Sequence, residues 1–293
     1  MTFTIMAAGL LVVACGNKSG NAGEAEADST VVEGEAAPEM TAMGSWDYPE
    51  GSAIENAEEV SVVLFPSSWK KYVDEGKDPA STNHIFYNCN FVKAGETKST
   101  IKHFGDEYDI PNSLIIPFYK GATAKKGDIV LTWWQSGSGM ERAIVTDDSN
   151  PAEPKVCYLD LGYKGDGTGF SEKHENETLK PNSFIVLENG KWMPGAEIVI
   201  TEGTDEKLAI IINCTDDKVL YSGFAAHVGV AKKSDCRLLP LNPGVSVGQT
   251  VKGNFVGKLR PDYKVKKIDT VKGRVVVEKS GKEEYLSFLE VSK

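Results

Sequence analysis

The sequence has few of the residues from which metal centres and nucleophilic sites are built. Its 293 residues include five cysteines and four histidines. No two cysteines form a C-x-x-C pair, and no two histidines have the i, i+4 spacing of a zinc site on a helix. We therefore predict no metal site, no cofactor and no catalytic residue.

The cysteines beyond Cys15 form no clear disulfide framework. Cys214 and Cys236 are the only close pair, and the other two are Cys89 and Cys157. Disulfides are permitted outside the cytoplasm, but cysteines in short apolar strands also serve as small buried hydrophobic residues. Both interpretations stay open, and the second is favoured.

A long apolar run is missing as well. The run from Ile5 to Val13 is too short to cross a bilayer as a helix, but it has the length of the apolar part of an export signal. It ends in Val12-Val13-Ala14-Cys15, which resembles the lipobox of bacterial lipoproteins. The resemblance implies that residues 1–14 are a signal peptide and that Cys15 becomes a lipid-modified N-terminus. The alternative is an apolar N-terminal strand or helix with a buried cysteine.

The signal departs from the lipoprotein pattern in one respect. No lysine or arginine precedes the apolar run, and a misplaced start codon would explain this. A lipid on Cys15 would attach the protein to a membrane of the cell envelope. Gly16 and Asn17 follow, without the aspartate that holds some lipoproteins at the inner membrane, which favours the outer membrane.

Large apolar side chains are scarce between residues 16 and 50. This segment carries eight acidic residues and one lysine among small polar residues, so it cannot bury enough surface to offset the entropy of ordering. We predict that residues 15–50 comprise the lipidated cysteine and an acidic flexible tether. A tether of this length has a root-mean-square span of roughly 30 to 35 Å.

The rest of the chain lacks a strong basic field. The net charge is −10, and most of it lies in the tether, which makes nucleic acid an unlikely partner. The chain from residue 252 onward has eleven basic and six acidic residues. This end could contact anionic headgroups or an acidic polysaccharide, or it could be ordinary polar alternation on solvent faces.

Helical periodicity is nearly absent beyond the tether, whereas short segments rich in Val, Ile and aromatic residues alternate with turn residues. A glycine turn followed by a valine strand recurs at Val60, Val130, Val199 and Val251. We predict an all-β chain of tandem, small, five-stranded barrels. The predicted units are residues 51–110, 111–180, 181–236 and 237–293. The first is the least secure, because residues 70–79 could hold a helical turn.

Residues 127–145, GDIVLTWWQSGSGMERAIV, resemble the opening hairpin of a Tudor-like or Src-homology-type small barrel. The matching features are a Gly-x-x-Val strand that ends in an aromatic residue and a second strand with Ala143 and Val145. Many Tudor domains close an aromatic cage around a methylated cation. The resemblance places Trp134 and Tyr158 where cage walls would lie. Met140 and Glu141 replace the usual aromatic pair, which argues against methyl-lysine recognition.

Trp133 and Trp134 are adjacent, so in a strand their side chains point to opposite faces and only one can be core. The other is either a stacking platform for sugar or peptide, or a contact between barrels. Trp133, Trp134 and Tyr158 are the predicted ligand-binding residues.

These patterns predict a lipid-anchored envelope protein that acts as a non-catalytic binding or scaffolding module for peptide or glycan through exposed aromatic residues. Two alternatives stay open. One is an envelope hydrolase whose carboxylates come together only in the fold, and the other is a structural subunit of an envelope complex. The sequence leaves the oligomeric state undefined.

Overall fold

The computed structural model describes residues 42–137, 139–160 and 177–293. The predicted signal peptide, Cys15 and the tether up to residue 41 lie outside the described residues. Over the described residues the fold is all-β, as predicted. It has 22 strands, one α-helix, α1 (Trp69–Asp74), and six short 3-10 helices.

A hairpin occupies the end of the predicted tether. It consists of β1 (Ala42–Met43) and β2 (Trp46–Pro49). Met43, Trp46 and Tyr48 are buried, and the Trp46 ring lies 5.1 Å from that of Trp69 in α1. The prediction of a flexible tether is therefore wrong for residues 42–49, because three large side chains bury enough apolar surface to order this end.

The first five-stranded antiparallel sheet follows. Its strands are β3 (Val60–Pro66), β4 (Phe86–Lys93), β5 (Lys98–His103), β6 (Asp106–Pro111) and β7 (Ile116–Tyr119). Their order is β6-β5-β4-β3-β7. Helix α1 lies between β3 and β4, inside the segment where a helical turn was expected.

The second sheet has the order β11-β10-β9-β8-β12. Its strands are β8 (Ile129–Trp133), β9 (Met140–Asp147), β10 (Lys155–Tyr158), β11 (Glu177–Thr178) and β12 (Ile185–Val186).

Two further groups of five strands complete the described chain. The third group is β13 (Glu197–Glu202), β14 (Asp205–Cys214), β15 (Lys218–Gly223), β16 (Val228–Lys232) and β17 (Cys236–Leu238). The fourth is β18 (Thr250–Phe255), β19 (Lys258–Asp269), β20 (Arg274–Lys279), β21 (Lys282–Ser287) and β22 (Val291–Ser292). The pair Lys207 and Lys258 joins β14 to β19, so the two groups form one ten-stranded sheet.

All four groups share one plan. The first four strands form a meander and the fifth returns to pair with the first. Val60, Val130, Val199 and Val251 each lie in the first strand of a group. The recurrence seen in the sequence is thus a recurrence of structure, and it is consistent with tandem small β domains.

The fifth strands extend beyond the predicted unit limits. Strand β7 pairs with β3 although it begins at Ile116, after the predicted limit at residue 110. Strand β12 likewise pairs with β8 although it begins at Ile185, after residue 180. The limits of the folding units themselves stay a prediction.

Candidate functional site

Trp133 is buried where the first two sheets meet. Its side chain is 5% exposed and belongs to the large apolar cluster that includes Leu64 and Ile116 of the first sheet. The Trp133 ring packs edge-on against Phe118, with centroids 5.3 Å apart. Trp133 is therefore a packing contact between the two sheets and not an exposed stacking platform.

Trp134 and Tyr158 point to the other face of the second sheet. Trp134 is half-buried against the core of that sheet, and Tyr158 is fully buried. The Tyr158 hydroxyl lies 2.7 Å from the Glu177 carboxylate and 3.1 Å from the Trp133 carbonyl oxygen. The exposure expected of these aromatic residues is absent for Trp133 and Tyr158, while a ligand-binding role for the three stays a prediction.

A different set of aromatic residues lines an open groove of about 690 Å³ on the first sheet. We call it the aromatic groove, and its lining includes Tyr87, Asn88, Asn90, Lys102, His103 and Phe104. Strand β4 supplies the first three residues, and β5 with its following turn supplies the rest. Gly137, from the loop between β8 and β9, also lines the groove.

The aromatic groove contains a cluster of rings around His103. The His103 imidazole lies 4.2 Å from the Phe104 ring and 5.0 Å from the ring of buried Phe65. The Tyr87 ring lies 6.3 Å from the His103 imidazole, with the two planes 24° apart. Burial lowers the pKa of His103 below its usual value of 6.5, so the imidazole is neutral at neutral pH. Through His103, these ring contacts connect the exposed ring of Phe104 to the buried ring of Phe65.

Phe104 lies at the tip of a tight hairpin. His103 pairs with Asp106, so Phe104 and Gly105 form a two-residue turn, and both have positive φ, 50° and 98°. Such turns favour Asn-Gly, because a bulky side chain is strained in the left-handed region. The Phe104 side chain is nevertheless 95% exposed. Phe104 thus combines a strained backbone conformation with an apolar ring exposed to solvent. Backbone strain of this kind clusters at functional sites.

Polar residues with unused hydrogen-bonding capacity also line the aromatic groove. Asn90 is directly opposite Lys102 in the β4–β5 register, and Asn88 is two residues earlier on the same strand. Within the described part of the chain, the side chains of these three residues make no hydrogen bond or ion pair. Amide groups both donate and accept hydrogen bonds. These polar residues alternate along β4 and β5 with the residues that carry the rings, and both sets contribute to the groove lining.

A second pocket, of about 350 Å³, contains a buried ion cluster. The Arg142 side chain, from β9, is 4% exposed. Its Nε donates a 2.8 Å hydrogen bond to Asp160, and its guanidinium also pairs with Glu197 of β13. Glu290 accepts hydrogen bonds from the Ser287 backbone and the Asn254 amide. Each of these carboxylates is engaged within the protein, so the cluster is explained as a joint between the second sheet and the strands that follow.

Two sequence features that could indicate catalysis do not form a catalytic site. Residues 244–248 read G-x-S-x-G, but Ser246 lies in an exposed turn that leads into β18 rather than into a helix, so the nucleophile elbow is absent. Cys89, Cys157, Cys214 and Cys236 are all free thiols, and burial raises the pKa of the Cys89 thiol to about 12.

Among the described residues, no group of three or more His, Cys, Asp or Glu side chains is placed to hold a metal ion. Across the same residues, no helix has the length and apolar character needed to span a membrane.

The residues of the aromatic groove are not among those predicted from the sequence. A signal was present, because the segment His103-Phe104-Gly105-Asp106 has phenylalanine where a two-residue hairpin turn favours asparagine. The contact of His103 with Tyr87 and Phe65 depends on strand pairing, which the local sequence does not specify.

No model of a known protein family matches the sequence, and no curated protein matches it either. The function therefore has to be inferred from the chemistry of the sites themselves.

Proposed function

We propose that this protein is a lipid-anchored component of the bacterial cell envelope that binds a glycan or a peptide without catalysing its conversion. The observation that carries the proposal is the nearly complete exposure of Phe104. This residue lies in a strained turn, and its ring contacts the His103 imidazole. The ring is almost fully exposed, and the left-handed backbone conformation of Phe104 is strained. The exposure of the Phe104 ring is therefore best explained by contact with another molecule.

The anchor is supported by the sequence alone. The lipobox-like segment ending at Cys15 and the acidic segment after it fit a body held at a membrane surface. Residues 42–49 pack onto the body, so the proposed tether would comprise residues that precede residue 42. A lipid on Cys15 would then place the aromatic groove within a tether length of the membrane.

The test is retention of solubilised envelope extract on the immobilised full chain in detergent. Phe104→Asn removes the ring and places the favoured residue in the turn, so loss of retention would not reflect misfolding. Val256→Asn is the matched control. Val256 has φ 54° and precedes Gly257 in the two-residue turn between β18 and β19, and it is 57% exposed.

We expect Phe104→Asn to abolish specific retention and Val256→Asn to leave it unchanged. Equal retention by the wild type and both variants would refute a binding role for the aromatic groove.

A further inference from the structure

We infer that the ligand of the aromatic groove is a glycan rather than a peptide. This inference rests on the proposed function and specifies its ligand class.

The first argument is the shape of the apolar surface. Phe104 offers an open ring face on a projecting turn, and Tyr87 and His103 add ring surface beside it. The electron-rich face of an aromatic ring attracts weakly positive C–H groups. A pyranose ring presents several such C–H groups on one flat side, so it can stack on Phe104 without a deep pocket.

The second argument is the chemistry of the polar groups. Asn88 and Asn90 line the groove from one face of β4, and their amides can both donate and accept hydrogen bonds, as sugar hydroxyls require. Lys102 is the only charged side chain in the groove lining. A single positive charge suits a neutral or weakly acidic glycan, and it is too little for a polyanion such as nucleic acid.

The third argument concerns main-chain recognition. Extended peptides commonly bind by adding a strand to an open sheet edge. Strand β4 pairs with β5 from Asn90 onward, which leaves only residues 86–89 of β4 open on that side. Four residues are short for a strand. A peptide would gain few main-chain hydrogen bonds here, whereas a glycan needs none.

The volume of the groove agrees with this ligand class. About 690 Å³ lies within the range of roughly 300 to 1,000 Å³ that is usual for small-ligand sites. The groove is open rather than enclosed, which lets a chain pass through with one or more sugar rings on the aromatic residues.

The test uses envelope extract divided into two portions. One is digested with protease, which destroys peptides, and the other is treated with mild periodate, which cleaves the vicinal diols of sugar rings. Each portion is applied to immobilised full chain carrying the wild-type sequence, Phe104→Asn or Val256→Asn. Retention is measured as the amount of labelled material that the column holds.

We expect the protease-digested portion to be retained by the wild type and the Val256→Asn variant, and the periodate-treated portion to be lost. Phe104→Asn should lower retention of the protease-digested portion by about tenfold or more, as expected for loss of one stacking contact.

The possible failures are distinguishable. Material that depends on Phe104, is lost after protease digestion and survives periodate overturns the glycan inference and leaves the proposed binding function standing. Retention that does not depend on Phe104 overturns both.

Discussion

The imidazole of His103 lies between the exposed ring of Phe104 and the buried ring of Phe65, at centroid distances of 4.2 and 5.0 Å. This contact supports the turn residue on a side chain fixed to the core. A ligand that stacks on Phe104 would therefore meet a surface that is ordered before binding, and the entropy cost of binding is lower for such a surface.

The first prediction concerns the stability of the hairpin. Phenylalanine in the left-handed region is strained, whereas asparagine tolerates it. Phe104→Asn should therefore raise the free energy of unfolding by about 1 kcal/mol, measured by urea denaturation of the full chain. An unchanged or lower value would show that the turn is not strained. A variant that is more stable but does not bind would establish that the ring serves binding.

The second prediction concerns the buried ion cluster. Arg142→Met removes the cation that pairs with Asp160 and donates a hydrogen bond to Glu197, and it leaves the Asp160 carboxylate without its ion-pair partner. Loss of one partner of a buried ion pair costs about 3 to 5 kcal/mol.

The matched control is Arg237→Met, because the Arg237 side chain is 42% exposed and pairs with Glu206. Exposed pairs contribute at most about 1 kcal/mol. Equal effects of the two substitutions on urea denaturation would contradict the structural role assigned to Arg142.

The third prediction concerns pH. Burial raises the pKa of Glu197 from 4.5 to about 8, and burial also raises the pKa of Glu290. Between these pH values the folded protein holds a proton on Glu197 that the unfolded chain releases, so the free energy of unfolding should fall as pH rises from about 4.5 to about 8.

Urea denaturation at pH 5, 6.5 and 8 measures this slope, and Glu197→Gln should reduce it. The slope of the Glu206→Gln variant should resemble that of the wild type, because the pKa of Glu206 is lowered by its hydrogen bond with Lys252. A slope that Glu197→Gln leaves unchanged would contradict the pKa assignment.

The fourth prediction concerns the anchor. Cys15→Ala should prevent incorporation of an alkyne-labelled fatty acid and should move the protein out of the membrane fraction. Cys214→Ala serves as the control, since Cys214 lies in β14, far along the chain from Cys15. Membrane association that persists without Cys15 would refute the lipoprotein assignment.

The sequence predicted the recurrence of the fold well, because strand formation depends on local alternation and turn residues. Val130 and Val199, for example, lie in equivalent first strands although 69 residues separate them. The fifth strands were harder to place. Strand β12 is two residues long, Ile185–Val186, and is held by pairing with distant β8. No local pattern specifies such a strand.

The surroundings of the candidate sites depend on contacts between residues far apart in the sequence, which local patterns do not predict. Adjacent Trp133 and Trp134 were correctly expected to point to opposite faces, but whether a neighbouring sheet covers either face depends on how the units pack. The ion cluster likewise joins Arg142 and Glu197, which are 55 residues apart. The aromatic groove was missed because its rings come together only through the β4 and β5 strands and the turn that follows them.

The most direct test of the central claim is an NMR titration of the full chain with protease-digested envelope extract. The side-chain amides of Asn88 and Asn90 report on the aromatic groove, and the amide of Asn254 reports on the pocket that contains the ion cluster. We predict that the Asn88 and Asn90 signals shift while that of Asn254 does not, and that periodate treatment of the extract removes the shifts. Shifts confined to Asn254, or no shift at Asn88 and Asn90, would contradict a glycan-binding groove on the first sheet.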